Sequence, residues 1–295
     1  MNRTQQPAAT LFALGMIGLG ILALAVGDFA MQWQPVAPWF PARTFLAYAS
    51  AILMLACGTG LLFRRTAAWS ARILFPSCLV WLLLKVPALV VAPQIEGVWL
   101  GAGEIAILFA GSWMLFIRLA DLPETSALAW LTGERSLTAA RILFALAVLP
   151  IGIAHIVYLQ PTHDLVPAWL PFRNGWAYLT GAGQIASGLG VLLGVLPQIA
   201  AWAEAVQISL YTLLVWLPAT IAHPGVRLNW TAFCISWAIA AGAWVVAQNT
   251  PTRTPGITVC GRAGLVAVDC ESWHSNRKGF GFVLEGIEDD VGRIA

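Results

Sequence analysis

Charge is scarce in this chain. Only 10% of its 295 residues are Asp, Glu, Lys or Arg, against roughly 25% in an average soluble domain, and 59% are apolar. Such a chain cannot hide its apolar surface from water by folding alone, which excludes an ordinary soluble domain and makes a membrane its natural solvent. The net charge of +2 says little by itself, since what matters in a membrane protein is where Lys and Arg sit along the chain, and nothing suggests a basic surface of the size that nucleic acid requires. Cysteine offers little either. Cys57, Cys78 and Cys234 fall within apolar runs, and Cys260 and Cys270 fall in a tail expected in the reducing cytoplasm. There is no C-x-x-C, and these two cysteines with His274 have no metal-ligand spacing. A Walker loop, a dinucleotide fingerprint, H-E-x-x-H and a serine elbow are also missing. A self-sufficient enzyme would have very little to work with.

What is there in abundance is apolar length. Runs able to cross about 30 Å of hydrocarbon as helices of about 20 residues lie near 11–30, 44–63, 73–92, 98–117, 139–158, 174–195, 199–218 and 230–248. Helices are required because a lipid-exposed strand edge cannot satisfy its backbone. The first run, behind Arg3, is too long for a secretory signal and lacks a small-x-small cleavage site. With both termini inside, the inner segments apart from the tail hold seven basic residues: Arg3, Arg64, Arg65, Arg72, Arg118, Arg135 and Arg141. The outer loops hold three, Arg43, Arg173 and Arg227. That bias predicts an integral cell-membrane protein with both termini cytoplasmic.

The chain also says one thing twice. "PWFPARTFLAYA" at 38–49 is matched by "AWLPFRNGWAYL" at 168–179. A shift of 130 residues pairs Trp39 with Trp169, Pro41 with Pro171, Arg43 with Arg173 and Tyr48 with Tyr178, among nine identities in 26 positions. One further residue of shift continues the match through Leu82/Leu213, Pro87/Pro218, Pro93/Pro224, Trp99/Trp230, Gly111/Gly242 and Trp113/Trp244. Membrane helices reuse Leu, Ala and Gly freely, but that habit does not put Trp, Pro, Arg and Tyr in register. The reading is an all-α polytopic membrane protein of eight transmembrane helices, arranged as two parallel four-helix repeats over 10–120 and 138–249, with a tail over 250–295.

The second copy carries "GIAH" at 152–155, "LVPAWLP" at 165–171 and "WAYLTGAGQIASGLGVLLG" at 176–194, and in this it resembles the DoxX-like small membrane proteins. Those are four-helix proteins with a first helix ending near a His, a Pro-rich loop and a Gly-rich second helix. The resemblance spans both copies, with departures in the first, where Asp28 stands near the His position and Met54 opposite Gln184. It implies a small subunit of a quinone-linked sulfur-compound oxidation system, or of a membrane thiol and oxidant-defence assembly. The partners so implied are membrane lipid, a quinone and a redox protein, with no covalently held cofactor.

In the second copy, Ala186, Gly190 and Gly194 recur every fourth residue and predict a close helix contact. The Pro and Trp clusters before each second helix are expected at the outer interface as anchors. Ionisable residues within spans are expensive and so draw notice. Lys85 and Glu104 would lie at similar depth on consecutive antiparallel helices, which predicts an ion pair between them. The structural reading is that this pair cancels two insertion costs. The functional reading is an outward-facing polar cavity, lined also by Asp28, His155 and Gln184, that takes a polar head group, an anion or a proton. Glu204 is expected near the inner surface, in contact with water.

The tail contains "WHSNRKGFGFVLEGIEDDV" at 273–291, and Lys278 to Val283 follows an aromatic RNA-binding strand motif. With Trp273 it is similar to part of a cold-shock domain, in which Trp273, Phe280 and Phe282 would stack on bases. The chain ends where half of such a barrel would still be needed, and the tail holds five basic against six acidic residues, so nucleic acid is not an expected partner. The leading expectation is a non-catalytic membrane subunit that binds a quinone or docks a redox protein. The alternative is a carrier or binder of a small amphiphile in a cavity between the two copies. The predicted orientation is checked with a fluorescent reporter that matures only in the cytoplasm: fused after Thr252 it is expected to be bright, and inserted in the 35–40 loop dark.

Overall fold

A chain whose backbone must pair with itself in lipid has helices as its main resource, and helices account for nearly all of the structure. The computed structural model describes residues 7–252 except 124 and 127, together with 258–259 and 266–267. The helices are α1 (Pro7–Val26), α2 (Arg43–Leu61), α3 (Ala67–Leu83), α4 (Val86–Val91), α5 (Glu96–Leu119), α6 (Glu134–Val157), α7 (Leu159–Leu165), α8 (Arg173–Leu193), α9 (Pro197–Tyr211), α10 (Leu217–Ala222) and α11 (Arg227–Gln248). Every apolar run predicted to be helical is helical. Seven segments among the described residues are long and apolar enough to cross a membrane: α1, α2, α3 with α4, α5, α6, α9 with α10, and α11. α8 has the length at 21 residues, but its Arg, Asn, Gln and five glycines dilute its apolar character.

Prolines punctuate the helices. α3 gives way to α4 at Leu84 and Lys85, with Pro87 in the first turn of α4. At the corresponding place α9 passes into a π-helical turn, Thr212–Trp216, before α10 with Pro218. α8 starts 130 residues after α2, and α10 starts 131 after α4. α2 and α8 also begin alike. The residues before Arg43 and Arg173 are Ala42 and Phe172, each with φ of 54°, a left-handed conformation that costs a non-glycine residue about 1 kcal/mol or more.

Packing makes two rings of helices with a shared edge. α1, α2, α3, α5 and α11 contact one another in cyclic order, as do α6, α8, α9, α11 and α5. The shared α5 and α11 are the most buried helices. They cross at Gly111 and Gly242, where a Cβ on Gly111 would lie 2.6 Å from the Cα of Gly242. Phe75, Phe109, Trp113 and Phe116 stack beside this crossing, with Phe75 and Phe116 centroids 4.7 Å apart. At the end of the bundle where α5 and α11 finish, Arg72 donates to the carbonyls of Ala120 and Asp121 and so caps α5. Trp39 and Trp169 are 82% and 71% exposed, consistent with interfacial anchors.

One sequence expectation is corrected. Ala186 is exposed and Gly194 ends α8 with φ of 71°, and of the three only Gly190 lies against another helix, where a Cβ would meet Ala200 Cβ of α9 at 2.8 Å. The buried face of α8 is instead Ala177, Gly181, Gln184, Ser187, Gly188 and Val191. The small-residue period was right, but α8 turns a neighbouring stripe to α6, where a Cβ on Gly188 would meet the Ala145 carbonyl at 2.9 Å.

The unit from Arg253 to Ala295 is separate from the helical unit. In it, Thr258–Val259 pairs antiparallel with Val266–Ala267. The cold-shock-like motif at 273–291 lies outside the described residues.

Because Gly111 meets backbone rather than a yielding side chain, Gly111→Ala is expected to cost about 1–3 kcal/mol, the usual range for overpacking. Gly133→Ala, where a Cβ meets nothing within 4 Å, is expected to leave thermal unfolding in detergent unchanged.

Candidate functional site

The five residues expected to share one polar cavity are divided among three places. Asp28, two residues past α1, is held between two arginines. It forms an ion pair with Arg43 at the start of α2, and Arg227 at the start of α11 approaches its other oxygen at 3.3 Å. Arg227 also donates to the Phe29 carbonyl at 2.7 Å. Burial works to raise the Asp28 carboxyl. Hydrogen bonds from Arg43 and the Phe29 amide, with the arginine charges, more than offset that, so the group lies below its ordinary value. Asp28 is therefore a clamp that ties the segment after α1 to α2 and to α11. It does not join His155.

Lys85 and Glu104 do come within electrostatic reach of each other, but the expected ion pair is not formed among the described residues. Both hold the segment that follows α1. Lys85 donates to the Gln32 carbonyl at 2.6 Å, and Trp33 Nε1 donates to Glu104 at 2.7 Å. That segment, with a short turn at Met31–Trp33, buries Phe29, Ala30, Trp33 and Gln34 at the end of the first ring where α1 finishes. Gln34 accepts from the Ala30 amide and donates to Ser50. The physical reason for the correction is that a polar backbone plug entered between the two charges and satisfied each separately, which the depth argument from consecutive helices could not foresee.

The second ring holds the other two residues and one that the sequence reading misplaced. Gln184 on α8 and Glu204 on α9 are both 0% exposed, and Gln184 Nε2 donates to Glu204 Oε1 at 3.2 Å. Glu204 is thus not in contact with water. It stands seven residues inside a helix that Pro197 starts, about 10 Å along the axis, and Ala201, Ala205 and Ile208 around it are buried. A signal was present: Glu204, Gln207 and Tyr211 recur at three and four residues and mark one polar stripe on an otherwise apolar helix. The stripe continues as a ladder. Gln207 Nε2 donates to the Thr180 carbonyl at 2.7 Å and lies 2.5 Å from the Tyr211 hydroxyl. His155 Nδ1 is 2.9 Å from Thr180 Oγ1, and its ring lies 5.5 Å from that of Tyr211. In the π turn, Thr212 and Ser236 share a hydrogen bond of 2.7 Å.

A groove of roughly 410 Å³ opens between the start of α5 and the flank of α6. Pro93, Gln94, Glu96 and Trp99 form one wall, and Leu146, Leu149, Pro150 and Ile153 the other. Both oxygens of Glu96 are shielded and lack a hydrogen-bond partner. Trp99 is fixed by its indole bond to the Pro93 carbonyl at 2.9 Å. Tyr158 closes the seam by accepting from the Gly97 amide at 3.0 Å. The volume falls in the range of small-molecule sites, and apolar walls with one or two polar groups are their usual chemistry.

Fold and site together define an all-helical protein with spans fit for a membrane and polar groups placed inside it. A family model described as a domain of unknown function (DUF8561) matches residues 144–247, a stretch that contains His155, Gln184 and Glu204. No curated protein and no solved structure matches the chain.

The Asp28 clamp makes a pH-dependent prediction. A carboxyl held below its ordinary value contributes stability that is present above the unfolded value, about 3.9, and is lost as pH falls through the folded value. Asp28→Asn is expected to lower stability at neutral pH by about 1 kcal/mol, since the pairs are partly exposed, and to flatten the acid limb of thermal unfolding curves.

Proposed function

We propose that the chain is a non-catalytic integral membrane subunit that binds a small amphiphile of the quinone class in the groove between its two halves, within a redox-linked membrane assembly. The observation that carries this reading is the groove itself: apolar walls drawn from both halves, with the unpartnered Glu96 carboxyl at the end where the chain enters α5. An amphiphile lays its apolar body along Leu146, Leu149 and Ile153. Its carbonyl or hydroxyl end meets Glu96 and Gln94, the first able to donate when protonated and to accept when ionised.

The same proposal includes eight spans, both termini in the cytoplasm, and descent of the two halves from one four-helix unit. Supporting the duplication are the left-handed residues Ala42 and Phe172, the indole bonds of Trp99 to Pro93 and of Trp230 to Pro224, and the facing glycines Gly111 and Gly242. The resemblance of 152–194 to DoxX-like proteins supports the quinone and redox part. The alternative, a carrier of another amphiphile, draws on the same groove, because a site at the seam would open and close if the halves rocked against each other.

The test is purification in mild detergent from native membranes, followed by mass spectrometry of the retained lipid-soluble molecules and proteins. Retention of a quinone or redox protein by the wild type is expected, with at least a several-fold loss of the quinone in Leu146→Trp, a substitution at an exposed position that fills the groove. Retention of a different amphiphile, lost in the same variant, would replace the subunit reading with the carrier. Equal retention by both proteins removes the groove from the argument.

A further inference from the structure

The two deepest polar side chains of the second ring leave a specific pair of atoms unsatisfied. Gln184 donates to one oxygen of Glu204, and the atoms then lacking a donor are Gln184 Oε1 and Glu204 Oε2, both fully buried. Buried polar atoms without partners are uncommon and costly. Here the two orphans belong to groups already joined by one hydrogen bond, and both are acceptors. A single proton on Glu204 Oε2 serves both, because the resulting hydroxyl can donate to Gln184 Oε1. Carboxylic acid and carboxamide then form a closed ring with two hydrogen bonds, carrying no net charge.

We infer that Glu204 is an intramembrane proton-binding site that holds its proton at neutral pH in a paired ring with Gln184. Position and surroundings agree with this. Gln184 is eleven residues into α8, about 16 Å along its axis, so the pair sits near mid-span, where an ionised side chain is expensive. Among the described residues no cation forms an ion pair with it. α8 offers as ionisable groups Arg173 and Tyr178, near its outer end, and α11 offers Arg227, engaged with Asp28, and Cys234, which faces Gly18 of α1. On α9 itself the other titratable group is Tyr211, one polar step beyond Gln207, and from α6 His155 packs against that tyrosine. The first half has Met54 and Leu74 at the positions that lie 130 residues before Gln184 and Glu204, both buried. An apolar pair therefore fits this place in the fold, and the proton site is particular to the second half. Gln207 and Tyr211 continue the polar face toward the outer end, the side from which the proton would exchange.

The experiment is infrared spectroscopy of the full chain in liposomes at neutral pH, where an exposed glutamic acid, with a value of about 4.3, is ionised. The wild type is expected to show a protonated-carboxyl carbonyl band that shifts in heavy water. Glu204→Gln, which can rebuild the ring as an amide pair, is expected to lose that band and keep its melting temperature, while Glu96→Gln and Glu104→Gln keep the band. Gln184→Leu should move the band to the higher frequency of an unbonded acid. Absence of the band from the wild type overturns the inference without any variant, as does its survival in Glu204→Gln. Stabilisation of the wild type, but not of Glu204→Gln, by sodium over choline at equal ionic strength would also overturn it, by assigning the two oxygens to a metal cation. Failure of the amphiphile reading leaves this result untouched, since the groove and the pair share no residue.

Discussion

The close crossing of α5 and α11 is the contact on which the rest of the helical unit depends. Both helices belong to both rings, so the distance between them sets the opening of each. In lipid there is no hydrophobic force to drive one apolar helix against another, and van der Waals contact between closely approaching backbones takes its place. Gly111 and Gly242 permit that approach. Once these two helices are fixed, α1 and α3 must close the first ring and α6 and α9 the second.

Polar groups then divide by what each ring does at the end where α1 and α6 finish. In the first ring, the chain after α1 folds back as a plug, and Lys85, Glu104 and Ser50 serve its carbonyls, indole and amides. Those side chains are used up by structure. In the second ring, the equivalent connection forms α7, which buries none of its residues. There the polar groups descend along α8 and α9 to Gln184 and Glu204. The same helical frame thus supports a sealed half and a half with a polar interior, and the difference lies in a few side chains: Met54 and Leu74 against Gln184 and Glu204, Trp81 against Tyr211.

The seam between the rings is held by polar clamps at the end where α5 and α11 start. Asp28 draws Arg43 and Arg227 together on one side, and Tyr158 takes the Gly97 amide on the other. Glu96 starts α5 as Arg227 starts α11, but Glu96 has no counterpart to Asp28. Its unpaired carboxyl and the groove beside it are what the second clamp leaves when a carboxylate replaces an arginine. The proposed amphiphile site thus lies where the start of α5 carries a carboxylate and the start of α11 an arginine.

Apolar run length was enough to determine the helices, because a span in lipid needs about 20 residues of one character and little else. The doubled Trp, Pro and Arg pattern lies at the starts of α2 and α8, each of which follows a left-handed residue. Which residues meet was another matter. Depth along a helix can be counted from its ends, but the direction a side chain faces depends on rotation about the axis, and ring closure alone sets that rotation. Lys85 and Glu104 are not paired with each other, because a loop of no regular pattern satisfies each of them separately. Glu204 was taken for a solvated residue, although its spacing to Gln207 and Tyr211 was there to read. Its partnership with Gln184 joins two helices at mid-span, and only the packed structure decides a contact of that kind.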